Sequence, residues 1–164
     1  MNKISPMKSI IVCVVFITLS CSSLFSQCSF ELNEVDKFTK VSKIETKSEN
    51  LFKDFSSALS VRFCKYDTTF FLRIGLNLTS QTYGIAKGGK LMFICGDTVV
   101  TLIADESKIA TGYTTISYSI SEEQLKTLKS INVSEFRLYL VDSFFEGKVE
   151  LKKAEKIKLI SNCI

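Results

Sequence analysis

Six cysteines and no histidine frame the chemistry open to this 164-residue chain. Without an imidazole there is no Ser–His or Cys–His nucleophile and no histidine-bound metal. The cysteines beyond residue 27 are Cys28, Cys64, Cys95 and Cys163, and no two of them stand at C-x-x-C spacing. A structural zinc would need four dispersed thiolates, so neither a metal nor another cofactor is expected. Four cysteines allow three pairings. Cys64 and Cys95 each end an apolar strand before a polar turn, while Cys28 and Cys163 lie near the two ends of the mature chain. That placement favours Cys64 with Cys95 and Cys28 with Cys163, the alternative being thiols that stay reduced as small buried hydrophobes.

Other residues imitate catalytic motifs. Gly84, Gly89 and Lys90 have the spacing of a phosphate-binding loop, but Leu91 follows the lysine and a strand follows Leu91. The glycines therefore read as a strand connection. Glu31, Glu34 and Asp36, or Asp105 and Glu106, could supply a glycosidase-type pair or a calcium site, yet nothing sets a separation and no D-x-D-x-D-G loop occurs. They read as solvated charges. The mature chain has no S-x-x-K and no G-x-S-x-G. Phe144 and Phe145, beside a hairpin turn, and Tyr83 and Tyr113, in glycine-containing loops, are the candidates for a contact surface.

The elements that position these residues begin after an export leader. Lys3 and Lys8 precede an apolar run from Ile10 to Leu19, and a small polar stretch ends at Ser26-Gln27, the layout of a signal peptide over residues 1–27. The run is shorter than the roughly 20 residues a membrane-spanning helix needs. Cleavage near Gln27 leaves one domain, 28–164, in a disulfide-permissive compartment, the periplasm or the extracellular space. Leu19-Ser20-Cys21 offers an alternative, an outer-membrane lipoprotein anchored through Cys21. No transmembrane segment is expected after the signal. The formal charge of +4 drops to about +2 without Lys3 and Lys8, too little to argue for nucleic acid.

Within the mature chain the dominant period is two. Leu59, Val61 and Phe63, then Phe70, Leu72, Ile74, Leu76 and Leu78, define a hairpin with one buried face. Leu91–Cys95 and Thr98–Ala104 form a second hairpin through Gly96-Asp97, apolar enough to predict a central, doubly covered position. Phe30–Val35, Val41–Glu45, Thr114–Ile120 and Glu135–Val141 read as further strands, with Lys148–Lys152 as partner to the last. Residues 46–55 read as a polar connection with room for a short helix. Ser121 and Gln124 make a capping box that opens a helix over Glu122–Lys129, and Ala154, Ile157 and Ile160 place a second helix over Lys153–Cys163. The fold class is mainly β, an antiparallel β-sandwich or strongly bent sheet with two short C-terminal helices, the alternative being α+β.

The leader ending Ser23-Leu24-Phe25-Ser26-Gln27, and the tail in which Ile120-Ser121-Glu122-Glu123-Gln124-Leu125-Lys126 leads into Phe136-Arg137-Leu138-Tyr139, resemble small uncharacterised exported proteins of Bacteroidota. The lysine-rich segment Lys152 to Ile164 resembles the same group, so the likeness covers the leader and about half of the mature chain. It implies a β-rich domain and carries over no catalytic residue. The function expected from all of this is an exported, disulfide-stabilised, non-catalytic binding or interaction module with an envelope or extracellular partner. The alternatives are a small carrier holding an apolar ligand between β-layers, suggested by thirteen phenylalanines, and a carboxylate-based hydrolase.

Overall fold

A computed structural model describes residues 28–164, so the leader, its cleavage point and Cys21 lie outside the described residues. Ten strands form two antiparallel sheets. β1 (Phe30–Val35), β2 (Ser42–Thr46), β4 (Ser57–Tyr66), β5 (Thr69–Ile85) and β8 (Lys108–Ile120) run side by side in that order, and β3 (Glu49–Lys53) pairs with the first half of β4. The smaller sheet has the order β10 (Phe144–Lys148), β9 (Val133–Tyr139), β6 (Lys90–Cys95), β7 (Thr98–Ile103). Helices α1 (Glu122–Ser130) and α2 (Leu151–Ser161) complete the fold. This is the β-sandwich with two C-terminal helices that period-two patterning implies.

The core lies between the sheets. Leu59, Val61, Phe63, Leu72, Ile74, Leu76, Ile116 and Tyr118 point in from the larger sheet, and Leu91, Phe93, Cys95, Leu102, Phe136 and Leu138 from the smaller. Each fully buried side chain of this size contributes about 2 kcal/mol of transfer free energy. Phe52 of β3 bridges the layers, its ring 5.6 Å from Phe136 and 5.5 Å from Phe145. Leu125 and Leu128 of α1 and Ala154, Ile157 and Ile160 of α2 are buried, as helical spacing requires.

Gln124 has two tasks in holding the sheets together. Its Oε1 accepts from the Ser121 backbone N–H at 2.9 Å, completing the capping box, and its Nε2 donates to the Thr101 carbonyl at 2.7 Å. That second bond covers part of the β7 edge, which would otherwise be open to another strand. The end of β7 is joined to β8 through an Ala104–Tyr118 bridge.

Four expectations need correcting. Residues 49–53 are a strand, because Leu51 and Phe52 reach the core and β4 is long enough to pair β3 and β2 on the same edge. The partner of β9 is β10 at Phe144–Lys148, and α2 already begins at Leu151. The β6–β7 hairpin is covered on one face only, since Ile94, Val99 and Ile103 are exposed. Finally, Cys28 and Cys163 are bonded, their Cα atoms 5.6 Å apart, whereas Cys64 and Cys95 are separate, buried free thiols. The reason is parity: Cys95 shares the inward face with Phe93, but Cys64 follows the inward Phe63 and so projects to the outer face of the other sheet.

Candidate functional site

The outer face of the larger sheet carries charge inside a β-ladder. The tight turn at Asp67-Thr68 sets the β4–β5 register, pairing Tyr66 with Thr69 and, four rungs on, Arg62 with Arg73. Like charges directly opposite each other destabilise a sheet. Glu45 of β2, opposite Cys64, resolves the conflict. Its carboxylate accepts from Arg62 Nη1 at 3.0 Å, from Arg73 Nη1 at 3.0 and 3.1 Å, and from the Tyr66 hydroxyl, while Arg73 Nη2 also donates to that hydroxyl at 3.0 Å.

The Glu45 side chain is only 9% exposed, against 26% for Arg62 and 28% for Arg73. Burial alone would push its carboxyl up, but the hydrogen bonds from Tyr66 and Arg62 and the charge of Arg73 outweigh burial and hold it below the ordinary range. The same surroundings act oppositely on the thiol beside it: burial and the Glu45 charge push Cys64 up to about 11. Burial alone does the same to Cys95. Both thiols are protonated at neutral pH and poor nucleophiles.

Next to the arginines the sheet surface opens into a hollow of about 450 Å³ lined by Arg62, Arg73, Gly75, Thr115 and Ser117. Ser48, in the β2–β3 turn, and Glu106, before β8, also border it. Glu106 is engaged by Lys108 at 3.3 Å. Tyr113 lines the same space. A Cβ on Gly75 would lie 2.7 Å from the Tyr113 hydroxyl and 2.7 Å from Ser60 Oγ, so the missing side chain is what lets the phenol lie over the strand. The Tyr113 hydroxyl accepts from Thr115 Oγ1 at 3.2 Å, and the residue stays 65% exposed.

The four aromatic candidates therefore part company. Tyr113 is in the hollow. Tyr83 is buried, its hydroxyl donating to the Leu76 and Gly112 carbonyls at 3.1 and 2.8 Å, so it seals the β5–β8 ribbon where the register shifts. Both tyrosines sit in strands rather than loops. Phe145 packs on Phe136 and Phe52, and Phe144 is exposed at the edge of the other sheet with the Arg137 guanidinium 4.8 Å from its ring centre. Gly89 and Lys90 lie where β5 turns into β6, with no helix to complete a phosphate loop. Cys28 and Cys163 tie the first described residues to the end of α2.

Sequence reasoning passed over Arg62, Arg73 and Glu45. One signal was present: two of the three arginines stand equally far from a hairpin turn on strands whose other outward residues are mostly uncharged. Comparison with protein-family models, curated proteins and solved structures returns no match for this chain.

Proposed function

We propose that the protein is an exported, disulfide-stabilised binding module without catalytic activity, and that it takes a small polar anion in the hollow on the outer face of the larger sheet. One observation carries this reading. Two guanidiniums share a single carboxylate, so the cluster keeps one positive charge beside an open cavity edged with hydroxyls. Arginine's fixed fork leaves donors free for a second anion, and a partly desolvated guanidinium binds carboxylate or phosphate more strongly than an exposed one.

The absence of catalysis is supported by how the reactive groups are used. Glu45 is spent on three donors and held ionised, Glu106 is paired with Lys108, and both free thiols are buried and protonated. Export is supported by the Cys28–Cys163 bond and by the leader's composition. Among the described residues no helix is long and apolar enough to cross a membrane. The carrier alternative has less support, because Phe63, Phe93 and Phe136 fill the space between the sheets themselves.

Backbone amide NMR of the oxidised mature chain, titrated with citrate and separately with inorganic sulfate, tests the reading. Saturable shifts centred on Arg62, Arg73, Thr115 and Ser117 are expected. Shifts scattered over surface lysines, or none, would overturn it.

A further inference from the structure

Resting on that reading and deepening it, we infer that the ligand is an acidic carbohydrate, an oligosaccharide whose sugar ring covers Tyr113 while its carboxylate meets Arg62. The first ground is the state of Tyr113. Tyr113 is 65% exposed, yet its ring lies over Gly75 and its hydroxyl accepts from Thr115 Oγ1 at 3.2 Å. An aromatic surface held out to solvent in this orientation suits the C–H face of a pyranose ring, which is apolar enough to be desolvated at modest cost.

The second ground is the polar complement around it. Thr115, Ser117 and Ser48 bring hydroxyls that both donate and accept, matching a ring that presents hydroxyls at every edge. Among the described residues Arg62 makes one side-chain hydrogen bond, from Nη1 to Glu45, which leaves Nε and Nη2 as a fork for a bidentate carboxylate. A neutral sugar would leave that positive charge uncompensated, and an apolar ligand would strand the hydroxyls. Shape is the third ground. About 450 Å³ falls within the roughly 300–1,000 Å³ of small-molecule sites, and the hollow lies on an open sheet face, where an oligomer can run past the bound ring.

Calorimetry on the oxidised mature chain separates this inference from the one beneath it. Trimers of galacturonate, glucuronate and mannuronate are titrated beside maltotriose and citrate. At least one uronate trimer is expected to bind about tenfold or more tighter than citrate, with no measurable heat from maltotriose. Arg62→Gln and Tyr113→Ala should each weaken that trimer about tenfold, with far-ultraviolet circular dichroism unchanged, and Arg137→Gln on the other sheet should leave it unaltered. If citrate perturbs the hollow but no uronate trimer binds tighter, the sugar assignment falls and the anion site stands. If maltotriose binds as well as the uronates, the acid requirement falls. If nothing perturbs the hollow, both readings fall.

Discussion

Each sheet carries an arginine–glutamate contact on its outer face, and the two are built differently. Arg137 and Glu146 lie across β9 and β10 at 2.6 Å, each 46% exposed, with Phe144 alongside. Glu45 is 9% exposed between Arg62 and Arg73, with Tyr66 as a third donor. The first is a surface ion pair in water, where screening and side-chain entropy consume most of its Coulomb gain. The second is a counterion that the sheet requires, since without it two guanidiniums would face each other across one rung. Similar chemistry yields decoration in one place and a poised electrostatic cavity in the other, the difference being desolvation and an odd number of charges.

That contrast can be broken from several directions. Removing the Cys28–Cys163 bond by a double serine substitution opens a 135-residue loop and should cost about 5 kcal/mol on the chain-entropy model, measured by urea denaturation. Because β1 pairs only with β2 among the described residues, hydrogen exchange should quicken around Glu45 well before it does in β6 and β9. Equal loosening of both sheets would show that the staple holds the whole sandwich.

Next in size, Glu45→Ala should destabilise by about 2 kcal/mol, less than a fully buried pair because both arginines still reach water. Glu146→Ala should stay within about 0.5 kcal/mol. Comparable losses from the two substitutions would erase the distinction drawn between the faces.

Two glycines sharpen it further. At Gly147 a Cβ would meet Phe52 Cδ2 and Cε2 at 2.9 Å and Phe136 Cε1 at 3.0 Å, all inside the packed layer, so Gly147→Ala should cost about 2 kcal/mol. At Gly75 the obstacles are the Ser60 hydroxyl and the Tyr113 phenol, side-chain ends outside the core that an added methyl would push off the strand at the cost of the Thr115 hydrogen bond. Gly75→Ala should therefore change stability by less than about 1 kcal/mol while abolishing ligand shifts in the hollow, a split between melting and binding that a purely structural glycine would not produce.

The smallest effect is that of pH. Glu45 has its carboxyl lowered in the fold, so its contribution is complete above the ordinary value of 4.5 and is lost as pH falls through the depressed folded value. Glu45→Gln should flatten the acid limb of stability against pH relative to the parent chain.

Much of the architecture was legible because alternation is a local signal. Leu59 to Phe63, Leu72 to Leu78 and Ile116 to Ile120 alternate cleanly, and every one of these inward positions is buried. The capping box at Ser121 and Gln124 was legible for the same reason. β3 was not, because five residues with Glu49, Asn50 and Lys53 among them carry too few apolar positions to show a period. The outer-face site was hidden more deeply. Arg62 and Arg73 can be paired from the turn between them, but Glu45 comes from a separate strand and Ser117 from β8, and no spacing in the chain announces them.

The amino-acid sequence by itself settles the absence of histidine chemistry and points to a mainly β class, since composition and strand period are properties of the chain alone, while Cys28 with Cys163 was one favoured choice among three pairings that the structure decides. Only tertiary structure decides that Tyr83 is sealed while Tyr113 is open, that Glu45 lies opposite Cys64, and that one glutamate serves two arginines. The physical reason is that strand parity assigns a residue to one face or the other, but which strands meet across that face depends on sheet order, which no local pattern encodes.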